Sequence, residues 1–138
     1  MSKFTRAELE YLRSQQRGRL ATVSRRGDPQ VKAVGFRYNE ELDTIDIGGF
    51  EMEKSQKFRN IANNPSVSFL VDDVLPDGSP GFIEIRGYAQ TLASGGQNID
   101  PTLSPAMIRI APRRIIAWDR SGRFPFSSRM AEKDGAHQ

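Results

Sequence analysis

The chain has 138 residues, a formal net charge of +3, no cysteine and a single histidine, His137, beside the C-terminus. A length of this order supports one hydrophobic core, and apolar and charged fractions of 37% and 27% are those of an ordinary globular protein. Disulfide scaffolds and cysteine-ligated zinc are thereby excluded, and Ser-His-Asp triads, Cys-His dyads and multi-histidine metal sites drop out with them.

Along the chain, Thr5-Arg6-Ala7-Glu8 is a capping box, with Phe4 and Leu9 placed as a hydrophobic staple. It predicts a helix over about residues 6–16, with Leu9 and Leu12 on one face and Gly18 as the stop. A small-residue strand between Leu20 and Val23 follows, then the turn Arg26-Gly27-Asp28-Pro29 and a second strand from Gln30 to Tyr38. In that strand Gln30, Lys32, Val34, Phe36 and Tyr38 share one face, and Val31, Ala33, Gly35 and Arg37 the other. Residues 44–48 form a third strand with Ile45 and Ile47 on its apolar side.

A short helix is predicted within "EKSQKFRNIANNP" (53–65), buried through Phe58, Ile61 and Ala62 and ended by Asn64-Pro65. Residues 66–74 and 82–92 read as strands, the latter with Phe82, Glu84 and Arg86 opposite Ile83 and Ile85. The Gly/Pro/Asn-rich stretch 93–105 reads as a mobile loop, and 106–112 with 114–119 as the last strands, or one strand bent at Pro112. The expected architecture is mainly β: a small barrel of six or seven antiparallel strands with short helices, one domain over 1–120. Residues 121–138 have little periodicity and are expected as a tail, flexible or packed on a partner subunit.

With its catalytic vocabulary so restricted, an enzyme of this sequence takes its hard chemistry from a bound cofactor. The strongest candidate site is Gly48-Gly49 followed by Ser55, Gln56 and Lys57. Glycines admit a ligand close to the backbone, free amides at a helix start favour a phosphate, and a lysine adds charge. The same residues also read as a turn, an N-cap and solvated lysines, and on composition both readings stand. Lys54 reads as a surface charge, Trp118 as a core or interface aromatic, and Lys32 equally as an anion ligand or a strand-edge lysine. Asp72-Asp73 lacks partners for a metal site, so no metal is expected.

No apolar run reaches membrane-spanning length, residues 1–16 lack a signal-peptide core, and the cytoplasm is the expected location. A pI near 9.5 permits nucleic-acid binding, but the basic residues are scattered and no nucleic-acid partner is expected.

Taken in order, "FTRAELEYLRSQQRGRLATVSRRGDPQVKAVGF", "TIDIGG", "KSQKFRNIANNPSVSFLVDDV", "IEIRGYAQ" and "IRIAPRRIIAW" resemble the pyridoxamine 5′-phosphate oxidase-like split β-barrel superfamily. The likeness is greatest to its branch using the deazaflavin coenzyme F-420. The resemblance implies a hydride-transferring oxidoreductase, with flavin mononucleotide (FMN) as the alternative cofactor and a non-catalytic cofactor binder as the alternative role. It implies a phosphate grip by Ser55, Gln56 and Lys57, although FMN oxidases often carry arginine in place of Gln56. It lays the tricyclic ring along residues 29–36, which brings in Gln30, Val31, Lys32 and Val34, with Ile47, Gly48 and Gly49 flanking it. A homodimer with cofactor sites at its interface and a small-molecule substrate are also implied. Ala33 stands where many relatives have proline, and Ala111, Ala117 and Asp119 depart from the usual C-terminal pattern.

Overall fold

The computed structural model describes residues 1–131. Among these residues are seven strands and two α-helices: α1 (Arg6–Ser14), β1 (Arg17–Val23), β2 (Pro29–Asn39), β3 (Thr44–Gly48), α2 (Gln56–Asn63), β4 (Ser66–Val74), β5 (Pro80–Leu92), β6 (Met107–Asp119) and β7 (Ser127–Met130). The antiparallel order is β3-β2-β1-β4-β5-β6-β7, and β3 also pairs with β6. That pairing closes six strands into a barrel and leaves β7 outside it, as the mainly-β reading expected. Alternation fills the barrel: Leu20, Ile45, Ile47, Phe69, Val71, Ile83, Ile85, Ile108, Ile110 and Ile115 are all buried inside.

The capping box of α1 is present, with Glu8 N–H donating to Thr5 Oγ1 and Thr5 N–H to Glu8 Oε1. The helix ends earlier than expected. Its C-cap is Gln15, already extended, and Gly18 lies within β1. A side chain at Gly18 would collide with the Phe69 ring, so this glycine permits core packing and does not stop a helix. On α2, Asn60 and Ile61 are buried and Phe58 is half-buried, whereas Ala62 is exposed. A two-turn helix lying on a barrel wall covers a narrow stripe, and Ala62 falls outside it.

Residues 107–119 form one strand, with a register shift opposite Arg86/Gly87 where Arg113 bulges out beside Pro112. The 93–105 loop contains a 3-10 turn at Gly96–Asn98 and is fastened by Ser104 N–H to the Gly49 carbonyl (3.0 Å) and by Arg37 to the Asn98 carbonyl (3.1 Å).

Part of the expected tail belongs to the fold. Residues 121–131 turn back from β6, bury Phe124 edge-on against Tyr11 and add β7 beside β6. The rest of that tail, His137 included, lies outside the described residues. Two ion-pair systems fix the return. Arg123 bridges Asp119 and Asp73, both held below the usual carboxylate range chiefly by that guanidinium. Arg129 reaches Glu8, which is 1% exposed, through two nitrogens at 2.6 and 3.0 Å.

Removing Arg129 leaves the Glu8 carboxylate buried without its counter-charge. We expect Arg129→Met to lower stability by about 3–5 kcal/mol. Urea unfolding of the two proteins measures this, and a difference below about 1 kcal/mol would show that water reaches Glu8.

Candidate functional site

The region between β2 and α2 gathers most of the predicted residues. β2 pairs with β1 from Pro29 to Gly35, and β3 takes over its other side only from Gly35 to Asn39. From Pro29 to Val34 the strand therefore has a sheet neighbour on one side only. Pro29 to Ala33 are exposed, and Val31 reaches 62%.

Register assigns the faces here. Thr22, Leu20 and Gly18 of β1 stand opposite Gln30, Lys32 and Val34, so these β2 residues share the face that becomes the barrel interior at Val34. Val31 and Ala33 share the outer face with Ala21 and Arg19.

Helix α2 starts from a fastened base. Met52 is fully buried, its N–H bonds Ser104 Oγ, and Met52–Lys54 forms one 3-10 turn. Ser55 is the N-cap: its hydroxyl accepts from Phe58 N–H (3.4 Å) and donates to the Met52 carbonyl (2.6 Å). That is the N-cap reading, and it coexists with free amides in the first turn. Lys54 pairs with Glu51 on the surface. Gln56 does not point away from the protein: its amide donates to Asn60 Oδ1 (2.8 Å) and accepts from Arg59 (2.7 Å).

Lys57 is a half-buried cation. Burial lowers its pKa, and the charge of Lys32 lowers it further. Among the described residues no carboxylate pairs with it. Lys32 of β2 thus lies near enough to Lys57 of α2 to act on its charge, and an anion placed by them would relieve the repulsion. Lys57 lies one turn before Asn60, which donates to Gln30 Oε1 and Thr22 Oγ1, both at 2.9 Å, and so holds the helix against the barrel. Arg25, Gln56, Arg59, Asn60, Ala62 and Asn63 line a cavity of about 490 Å³ beside it.

The remaining predicted residues sit apart. Ile47 is fully buried, with its side chain in the core. A Cβ on Gly48 would stand 2.7 Å from Leu103 and 3.3 Å from Ile99, so its missing side chain admits the 93–105 loop. Gly49 is half-buried over Met52. Asn60 was not singled out by the sequence; a polar residue inside an amphipathic pattern, three positions from Lys57, is the signal it offered. No group of three or more His, Asp or Glu able to hold a metal occurs among the described residues.

With this geometry in place, relatives become informative. Residues 4–129 match the sequence profile of the pyridoxamine 5′-phosphate oxidase family. The chain belongs to that family. A 5a,11a-dehydrotetracycline/5a,11a-dehydrooxytetracycline reductase of Streptomyces rimosus is 47% identical over 122 residues, covering 86% of this chain and 85% of that protein. A solved F420 reductase is 27% identical with a TM-score of 0.57, over 72% of this chain and 88% of that one. A conserved hypothetical protein from Mycobacterium tuberculosis matches over 96% of this chain and 95% of its own, at a TM-score of 0.70 and 22% identity, which shows the shared split barrel. Together these relatives support an oxidoreductase with a flavin-type cofactor.

An uncompensated lysine has a thermodynamic signature. Its folded-state pKa lies below the ordinary 10.5, so the unfolded chain binds the extra proton between those two values, and stability rises with pH across that window. Below the window the penalty of charging Lys57 is fully present. We therefore expect Lys57→Met to stabilise the free protein at neutral pH and the gap to wild type to close as pH rises toward 10.5. Denaturant titrations at several pH values test this; a wild type more stable than Lys57→Met at pH 7 would mean that Lys57 has a counter-charge.

Proposed function

We propose that the protein is a reductase that binds coenzyme F-420 in the cytoplasm and reduces a conjugated carbon–carbon double bond in a polycyclic enone. The observation that carries this reading is the Lys32–Lys57 pair, a cationic cradle without a carboxylate, at the start of α2. The acceptor class follows from the Streptomyces relative, which acts on dehydrotetracyclines. When bound, the reduced coenzyme supplies a hydride to one carbon of that double bond, and a proton from solvent completes the reduction at the other.

The chain's own part is placement. Lys57, Lys32 and the first-turn amides of α2 hold the phosphate. The one-sided stretch Pro29–Val34 offers unpaired backbone groups to the ring system. The residues provide orientation and exclusion of water; no described side chain is set up as a general base. What favours F-420 over FMN is Gln56, which stands where FMN oxidases often carry arginine and whose amide here bonds Asn60 and Arg59.

The outer face fits a second copy of the chain. Exposed Val31 and Ala33 adjoin half-buried Ala21, Leu70 and Ile116 and the Phe82–Trp118 contact, an apolar surface broken by the Glu84–Arg86 and Arg19–Asp72 pairs. Such a homodimer brings two cofactor sites close to one interface.

Titration of the purified protein with coenzyme F-420 and with FMN tests the reading, followed by assay of dehydrotetracycline reduction with the reduced coenzyme. Lys57→Ala is expected to weaken F-420 binding roughly ten- to a hundredfold, or about 1.5–3 kcal/mol, by removing a charge-assisted contact. Tight FMN binding without F-420 binding would move the protein to flavin chemistry. Affinity without turnover of any enone would make it a cofactor carrier.

A further inference from the structure

The amides at the junction of β2 and α2 form a chain with a direction. Arg59 donates from Nη1 to the Lys54 carbonyl and from Nη2 to Gln56 Oε1, both at 2.7 Å. Gln56 Nε2 donates to Asn60 Oδ1 at 2.8 Å, and Asn60 Nδ2 donates to Gln30 Oε1 at 2.9 Å. Among the described residues nothing accepts from Gln30 Nε2, which is the free end of the chain on the Lys32 face of β2.

A primary amide has nearly the same shape either way round and can present oxygen or nitrogen to a neighbour. A guanidinium has no such choice, because it carries only donors. Arg59 therefore requires the oxygen of Gln56. The nitrogen of Gln56 then faces Asn60 and requires its oxygen, and the nitrogen of Asn60 faces Gln30 and requires its oxygen. Thr22 does not oppose this, since a hydroxyl accepts from Asn60 as readily as it donates. The Gln30 N–H bonds are left without an acceptor among the described residues, on the face of β2 that carries Lys32. Holding α2 on the barrel would not need this order: Asn60, 2% exposed, already bonds Thr22, while Arg59, Gln56 and Gln30 are all exposed.

We propose that Arg59 is a positioning residue which, through Gln56 and Asn60, holds Gln30 as a hydrogen-bond donor toward an acceptor atom of the cofactor. The proposal rests on the cofactor reading of the same site. It gives Gln56 a different task from phosphate binding and gives Arg59 one that acts at a distance. A reversed amide at Gln30 would set oxygen lone pairs against that acceptor, so the relay selects for cofactors that accept there.

The test is the affinity of the full-length protein for coenzyme F-420 and for FMN in wild type, Arg59→Met, Arg59→Lys, Gln30→Leu and the Arg59→Met/Gln30→Leu double variant. The single losses are expected to weaken the preferred cofactor each by about tenfold, and the double variant no more than Gln30→Leu alone. Arg59→Lys restores affinity, because an ammonium also only donates. Additive losses, or full affinity in Arg59→Met, overturn the relay. Side-chain amide proton–nitrogen spectra of the free protein give a readout that needs no ligand. The Gln30 pair, identified by its loss in Gln30→Leu, is expected to shift in Arg59→Met and to return in Arg59→Lys. An unmoved Gln30 pair overturns the proposal. If the pair moves as expected while neither cofactor binds, the orientation stands and the cofactor reading falls.

Discussion

Closure of the barrel depends on β3, a five-residue strand with every residue buried. Its inner side, Ile45 and Ile47, meets Ile110 and Ile108 across the β3–β6 seam. The outer side carries Asp46, and burying a lone carboxylate there would be prohibitive. Burial pushes Asp46 up, but Arg109, Asn39 and Thr44 together hold it below the ordinary carboxylate range. Arg109 sits directly opposite Asp46 in the register, so the ion pair and the seam specify one another. The segments C-terminal to β3 inherit this placement. Gly48 receives Leu103 and Ile99, Ser104 ties Gly49 and Met52, and the 3-10 turn on Met52 aims α2 back across the barrel toward β1 and β2.

Four carboxylates of the fold are held by arginines, whereas Lys57 at the start of α2 pairs with no carboxylate among the described residues. Glu8 has Arg129, Asp46 has Arg109, and Asp73 and Asp119 share Arg123. Apart from Asp119–Arg123, four residues apart, each pair crosses between elements distant in sequence and so also selects a register or a docking geometry. Lys57 instead has a neighbour of its own sign. Folding that brings two cations together without a counter-charge gives up stability, and stability given up at one place is the common mark of a binding site.

Features carried by local pattern were legible in the sequence. The capping box, the parity of β2, the alternation of β5 and the Asn-Pro end of α2 all depend on residues within one or two turns or strands. Features set by distant partners were not. Gly18 reads as a helix stop until Phe69 is known to lie over it, and Ala62 reads as core until the barrel wall proves narrower than its helix face. β7 has only four residues, half of them exposed, and its reason for existing is an arginine that reaches back to Glu8 across the whole chain. At the site the same division holds. Lys57 was a candidate from its place at a helix start and Gln30 only through the family resemblance, whereas the bonds among Arg59, Gln56, Asn60 and Gln30 needed the helix docked on the barrel.

The one-sided stretch of β2 sharpens the choice for Lys32. A strand with unpaired backbone on one side invites another strand, and lysines commonly guard such edges. A guarding lysine serves best when it points into solvent, away from the core and from other cations. Lys32 is exposed but not clear of other cations: it shares a face with Leu20 and Val34, and its charge acts on half-buried Lys57. On the outer face Val31 and Ala33 leave the same edge unguarded. An edge protected against aggregation would have the opposite arrangement, with lysine outside and valine within. On the proposed reading, open backbone beside Lys32 and Lys57 suits a flat ring carrying an anionic arm, and that reading gives the exposed strand and the unpaired charges a common explanation in one ligand.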